Sequence, residues 1–252
     1  MPGRTDRSLR PASRLACASL ALWAVPVLAG PPYLTDDPDP VDYGHLEVIP
    51  FYSIDRAGDG SALQGPGADI SYGILPEMHL NLVPVFVHTL PDAGPSEYGL
   101  GDFRVALKWR LVDETDDRPE LAIYPAVTFP TGSAARGLGN GQVSYQFPVW
   151  LEKNWGAWSS YGGGGWTLNR APGQRDYFYG GWQVQKQLDA AWTLGGEIFS
   201  QGRSADDVAG FTVLNLGGSY RFTGSTSLIF TFGHSFAGAS HALGFLGLVT
   251  EW

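Results

Sequence analysis

The stretch GLGDFRVALKWRLV, residues 99–112, decides the fold. Phe103, Val105, Leu107, Trp109 and Leu111 fall on one side of an extended chain, and Asp102, Arg104, Ala106, Lys108 and Arg110 on the other. Successive side chains of a strand point to opposite faces, so this alternation specifies a strand. It needs an apolar neighbour on one side and water or paired charges on the other. Slipping it by one residue would turn Arg104, Lys108 and Arg110 to the apolar side. If that side is lipid, each cation near the midplane costs about 2–4 kcal/mol, so the register is firmly set.

The same period recurs along the chain. Leu121, Ile123, Val127 and Phe129 oppose Glu120, Tyr124 and Thr128. Val143, Tyr145, Phe147, Val149 and Leu151 oppose Gln142, Ser144, Gln146 and Glu152, and Met78, Leu80, Leu82 and Phe86 oppose Glu77, His79 and Asn81. Bounded by Gly, Pro, Asp and Asn, twelve strands are expected, near 45–56, 67–75, 77–90, 99–112, 119–130, 142–153, 156–169, 176–188, 190–201, 211–222, 226–236 and 241–252. The connections alternate. Long ones are expected near 56–66, 90–99, 130–141, 169–176 and 201–210, and short ones near 75–77, 154–156, 188–190 and 222–226. The connection at 112–119 is somewhat longer than its class, and 235–241 is short where a long one is due. Strands of about 9–12 residues joined by short turns on one side and longer loops on the other fit an all-β, single-chain antiparallel transmembrane barrel. Closure is required because unpaired edge groups in lipid cost several kcal/mol each.

Composition agrees. The 252 residues include 34 Gly and nine Trp, aromatics make up 13% and charged residues only 16%. No run of 18 apolar residues occurs, which excludes a polytopic helical membrane protein. The formal charge of −9 gives no electrostatic basis for a nucleic-acid partner. Arg4, Arg7, Arg10 and Arg14 precede an apolar run from Leu15 to Leu28, and Val27-Leu28-Ala29 has small-residue cleavage character, so residues 1–29 read as a signal peptide. Its removal takes the only cysteine, Cys17, and leaves a charge of −12 without disulfides. The expected organisation is a signal peptide at 1–29, a periplasmic or plug segment at 30–44 and a barrel at 45–252, in a Gram-negative-type outer membrane with both termini periplasmic.

Aromatic placement supports two interfacial girdles. Trp158 and Trp166 share a face eight residues apart, about 21 Å along the membrane normal for a strand tilted near 40°. Trp109, Trp182, Trp192 and Trp252 join them as girdle candidates. The last strand ends on Trp252 with Thr250, Leu248 and Leu246 on one face, a form suited to barrel-assembly machinery. Outer-membrane lipid is the other expected partner.

Several segments are more specific. Gly30-Pro-Pro-Tyr-Leu-Thr-Asp-Asp-Pro38 is followed by Gly99-Leu-Gly-Asp102, Phe129-Pro-Thr-Gly132, Arg136-Gly-Leu-Gly-Asn-Gly141, Pro148-Val-Trp-Leu-Glu-Lys153, Trp155-Gly-Ala-Trp158 and Tyr161-Gly-Gly-Gly-Gly165. In this order, over Gly30 to Trp252, the chain resembles the outer-membrane family labelled "MetA-pathway of phenol degradation", whose members are described as transporters. The resemblance implies a porin-like barrel and transport, and supplies no catalytic residues.

With the apolar face outward, the candidates for lining the lumen are Glu47, Asp69, His79, Asp102, Arg104, Lys108, Arg110, Glu120, Gln146, Glu152, Tyr161, Tyr177, Tyr179, Gln183, Gln185, Glu197 and Arg221. Twelve strands give a backbone radius of about 12 Å, and long side chains narrow it further. Acids and bases are mixed, and buried charges pair. Two readings follow: an ion-pair network that closes a purely structural barrel, or a narrow charged path for small solutes, aromatic or hydrophobic ones among them. The acidic run Thr35–Pro40 either folds back as a plug or hangs as a solvated linker. It lacks the ligand spacing of a Ca²⁺ loop, so no metal and no cofactor are expected. An outer-membrane hydrolase is the reading from another class. It is disfavoured because His45, His79, His88, His234 and His241 are scattered and no Gly-x-Ser-x-Gly motif occurs. The glycine runs lack the strand–turn–helix setting of a phosphate cradle. A soluble β-sandwich is the structural rival, and it would bury the apolar strand faces instead.

Overall fold

The computed structural model describes residues 32–252. The expected leader at 1–29 lies outside the described residues. The sheet strands are β1 (Leu46–Ala57), β2 (Gly60–Leu75), β3 (Met78–Val83 continued by Val85–Pro91) and β4 (Glu97–Leu100 continued by Phe103–Val112). They continue as β5 (Glu120–Ile123 and Ala126–Phe129), β6 (Ser144–Trp155), β7 (Trp158–Asn169) and β8 (Tyr177–Gln187). The last four are β9 (Trp192–Gln201), β10 (Phe211–Arg221), β11 (Thr226–Gly238) and β12 (His241–Glu251). Each pairs antiparallel with the next, and β12 returns to β1 from Glu47 opposite Glu251 to Ala57 opposite His241. The result is a closed twelve-strand barrel with no sheet edge.

Two staves are interrupted at proline for a simple reason. Pro84 has no N–H to give to the ladder, yet its carbonyl still accepts the Ala68 amide at 3.1 Å. The carbonyl of Pro125 takes the Leu107 amide at 3.0 Å in the same way. Pairing therefore carries across both breaks.

β1 begins and β12 ends at one end of the barrel, where Leu46 and Trp252 exchange backbone hydrogen bonds; it is called here the terminal end. Its turns are residues 76–77, 113–119, 156–157, 188–191 and 222–225; the opposite, loop end has 58–59, 92–96, 130–143, 170–176, 202–210 and 239–240. The expected long connection at 56–66 is corrected: β2 begins at Gly60, and Gly58-Asp59 closes a tight hairpin. Residues 60–67 read as a loop because of their Gly and Pro content. Two of those glycines are instead sites of close packing, since a Cβ at Gly67 would come within 2.6 Å of the Phe51 ring, and one at Gly65 would run into the Tyr52 ring. The three longest outer connections fold inward over the loop end, burying Leu138, Ala171, Ser204 and Ala205.

The barrel is inside out. Trp109, Leu111, Phe147, Val149, Ile198, Leu214, Leu216, Leu246 and Leu248 are exposed on the outer wall, while Asn81, Lys108, Gln146, Gln183, Glu197 and Asn215 are buried within. Trp109, Trp158, Trp192 and Trp252 stand near the terminal end, joined by the exposed Trp155. Trp166 stands at the loop end against Phe178, with ring centroids 4.0 Å apart. Trp182 departs from the girdle assignment. It lies at mid-height in β8, opposite Gly162, and its indole N–H donates to Ser160 Oγ at 2.8 Å. An indole facing hydrocarbon needs a protein acceptor, and the side-chain-free Gly162 gives the ring its seat.

Because Leu216 sits halfway along β10 on the outer wall, Leu216→Arg should destabilise the barrel by about 2–4 kcal/mol in reversible denaturant unfolding from lipid. A change below about 0.5 kcal/mol would mean that this face does not meet hydrocarbon.

Candidate functional site

The lumen does not hold wall side chains alone. Residues 32–43 run inside it, with Tyr33, Leu34, Thr35, Asp36 and Pro38 all buried. The segment leaves the barrel through a short parallel bridge between Tyr43 and Gly73 and enters β1. It is acidic and proline-containing, with no apolar period of its own, so polar contacts to the wall hold it in place.

These contacts form two groups. Deeper in, the Glu197 carboxylate of β9 accepts the backbone N–H of Leu34 at 3.2 Å, together with the N–H and hydroxyl of Thr35. Asn215 Nδ2 of β10 donates to the same carboxylate at 2.5 Å, and the Thr231 hydroxyl donates to the Pro32 carbonyl at 2.6 Å. Four donors on one buried carboxylate supply the compensation that a charge out of water requires. Nearer the terminal end, Lys108 Nζ lies 2.9 Å from Asp36 Oδ1 and 3.1 Å from Asp37 Oδ1 and donates to the Asp39 carbonyl at 3.3 Å. Arg110 meets Asp39 at 2.7 Å, Glu77 at 2.5 Å and Glu120 at 3.6 Å. Val41 donates its N–H to His79 Nδ1 at 2.9 Å, which fixes that imidazole as neutral with its proton on Nε2.

Arg104 binds Asn81 Oδ1 at 3.0 Å, and Asn81 in turn donates to Asp69 and Ser71. The Arg104 guanidinium and the Lys108 ammonium both lie about 5 Å from the centre of the Tyr124 ring, within cation–π range. Burial raises the Asp36 carboxyl to about 7, against the opposing pull of Lys108. It also raises the Asp39 carboxyl, with Asp37 adding to the effect and Arg110 opposing it. The Tyr33 phenol is pushed up to about 12, chiefly by burial.

The remaining candidates take different places. Tyr161, Tyr177, Tyr179, Gln146 and Gln183 are buried on the inner wall, with Gln185 half-buried beside Gln183 at 3.1 Å. Glu47 lines an inner cavity, and Glu152 lies across from Glu120 on the adjacent strand. Two assignments are corrected. Asp102 accepts the backbone N–H groups of Gly132 at 2.9 Å and Asn140 at 2.6 Å, so it fastens the 130–143 connection across the loop end. Arg221 has inward parity but ends its strand, so it reaches solvent at the terminal rim and lines no lumen.

The expected pairing of wall bases with wall acids holds for Arg110 with Glu120, whereas the acid partners of Lys108 come from the inserted segment. Sequence reasoning passed over Trp150, Phe199, Phe211 and Val213, which lie inside among Leu34, Tyr177 and Tyr179. Trp150 and Val213 are 0% exposed. A period-two count from Gln146 through Trp150 to Glu152 would have found the first of these. The lumen thus has an apolar, aromatic part toward the loop end and a charged part toward the terminal end. Beside the charged part lies a cavity of about 370 Å³, with Asp36, Asp69, His79 and Lys108 on one side and Ile49 and Val249 on the other.

A family model described as MetA-pathway of phenol degradation matches residues 33–248. The chain belongs to this family. No curated protein matches. Among solved structures it is similar to the COG4313 outer membrane channel from Pseudomonas putida F1, with a TM-score of 0.70 and 15% identity over 86% of this chain and 98% of that one. It is also similar to the KdgM porin in complex with disordered oligogalacturonate, with a TM-score of 0.57 and 10% identity over 81% of this chain and 98% of the porin. The translocator domain of the autotransporter NalP from Neisseria meningitidis gives a TM-score of 0.52 at 11% identity, covering 83% of this chain and 89% of that domain. At such identities the likeness is one of fold: this family member is a barrel of the outer-membrane type.

Lys108 is 4% exposed and has Asp36 and Asp37 as its acid partners. Lys108→Met should leave their charge uncompensated and weaken docking of segment 32–43 by about 3–5 kcal/mol, the usual cost of breaking a buried pair. Limited proteolysis reads this directly: the segment should become cleavable in the variant while the barrel stays resistant. Equal resistance in both proteins would contradict the assignment.

Proposed function

We propose that the protein is an outer-membrane channel for small solutes, aromatic and hydrophobic ones among them, and that solute passes when segment 32–43 moves aside. The observation that carries this reading is the nature of the obstruction. A barrel that is closed for good can be filled by its own wall side chains, as small barrels are. Here the lumen is filled by a separate stretch of chain, tethered at one end and held by ion pairs and hydrogen bonds.

The division of the lumen supports the solute class. Trp150, Tyr177, Tyr179, Phe199 and Phe211 pack with Leu34 of the segment on the loop-end side, so its departure would present aromatic surface to a solute there. Pockets for small organic molecules are lined mainly by such side chains. Membership of a family labelled for phenol degradation and similarity to an outer membrane channel agree with this reading. The same surroundings suit passage rather than hydrolysis. His241 Nδ1 is 2.9 Å from Asp55 but joins β12 to β1, and Ser235 Oγ accepts the His241 backbone N–H at 2.8 Å. Surrounding lipid, and assembly machinery reading the strand that ends at Trp252, are the proposed partners.

Deletion of residues 32–41 tests the channel. In planar bilayers the full protein should show small or rare openings and the deletion variant a larger unit conductance. Liposome swelling with small sugars and aromatic alcohols should quicken in parallel. If the deletion variant folds, by its heat-modifiable gel band, and stays silent in both assays, the alternative of a closed structural barrel is correct.

A further inference from the structure

The charges around segment 32–43 do not balance. At the terminal end, the wall supplies Arg104, Lys108 and Arg110 as cations and Glu47, Asp69, Glu120 and Glu152 as acids; insertion adds Asp36, Asp37, Asp39 and Asp42. Fully ionised, these eight carboxylates would face three cations, and Glu77 beside Arg110 adds a ninth; Asp36 and Glu120 are almost wholly out of water, while Asp39 and Asp42 are exposed. Like charges crowded in a low dielectric are relieved most readily by taking up protons. We propose that segment 32–43 is a proton-coupled plug, docking with uptake of protons, so that the lumen is shut at mildly acidic pH and loosens as the pH rises.

Asp36 is the group best placed to take up a proton. It faces Lys108 and Arg104 from β4, Asp69 from β2, His79 from β3, Glu47 from β1, Tyr124 from β5 and Tyr179 from β8, with Asp37 beside it on the segment. Its Oδ1 accepts from Lys108, while its Oδ2 is buried with no hydrogen-bond partner among the described residues. A carboxylate oxygen left unpaired in the interior is costly, and protonation removes that cost.

The sign follows from comparing docked and released states. The docked Asp36 carboxyl titrates near 7, whereas a released segment in water returns to the ordinary value of 3.8. Between these values the docked state holds a proton that the released state lacks, so acid favours docking. As the pH rises from about 4 to about 7, the docking constant falls by up to about tenfold per pH unit for that proton, and above about 7, where both states have lost it, the constant levels off at its weakest. Asp39 is shifted in the same direction and adds to the effect. Tyr33, raised to about 12, extends it to strongly alkaline conditions. Lys108 keeps its contacts with Asp37 and the Asp39 carbonyl whether or not Asp36 is charged, so the transition is a loosening of the plug and not unfolding.

The inference rests on the channel reading only for its effect on flux, and the test separates the two. A nitroxide placed by Pro40→Cys in a Cys17→Ser background reports plug mobility by electron paramagnetic resonance in liposomes from pH 5 to 9, and swelling assays on the same samples report flux. The spectrum should be immobile at pH 5.5 and gain a mobile component above pH 7. In Asp36→Asn, uncharged throughout, the mobile component should be reduced at least threefold at pH 8, and Asp36→Glu should restore the titration. A mobile component that grows on acidification, or identical transitions in the parent and Asp36→Asn, would overturn the proposal. Mobility that rises with pH while flux stays at zero would refute the channel and leave the proton-coupled plug standing.

Discussion

Lipid leaves no room for an unpaired backbone group, and the rest of the structure follows from that constraint. A sheet edge in hydrocarbon would leave a row of N–H and C=O groups without water, at several kcal/mol each. The chain therefore brings β12 back to β1 and abolishes the edge. Closure fixes which face is which. Apolar residues turn outward, so the positions that alternate with them, the charged ones at mid-height included, turn toward the axis. Arg104, Lys108, Arg110 and Glu197 are thus gathered inside by the register that places Phe103, Leu107, Trp109 and Ile198 outside.

That gathering creates a second problem, which the N-terminal segment solves. A narrow lumen partly desolvates its charges, and a cation there is stable only with a partner close by. Lys108 has no wall carboxylate within ion-pairing distance among the described residues; Asp36 and Asp37 serve it instead. Glu197 has no cation at that distance among the described residues and is stabilised by hydrogen bonds, three of them from Leu34 and Thr35. Filling the lumen with a separate segment, instead of larger wall side chains, satisfies these groups with contacts that exchange readily for water. The segment occupies the lumen without being part of its wall.

Much of the fold was legible because its period is strict. Twelve segments alternating at period two, set off by Gly, Pro and Asp, define the barrel and its outward face from the residues alone. What escaped depends on contacts between distant positions. Residues 60–67 look like a loop because glycine and proline are weak strand formers, but here glycine makes room for the Phe51 and Tyr52 rings. Trp182 fits a girdle by residue type, and only its pairing with Gly162 and Ser160 places it at mid-height. The candidate site was legible as a set of inward residues and not as a set of partners. Nothing in the local pattern says that Lys108 pairs with residues more than 70 positions earlier, or that Asp102 holds a loop. Trp150 could have been found, since the period that places Gln146 and Glu152 inside places it there too.

Hydrogen–deuterium exchange of residues 32–43 in lipid nanodiscs, at pH 6, tests the central claim most directly. The amides of Leu34 and Thr35, donated to Glu197, and of Val41, donated to His79, should exchange far more slowly than in a free peptide of the same sequence. Exchange at the free-peptide rate across the whole segment, with the barrel strands protected, would mean that the lumen is not occupied by this segment and would contradict the account.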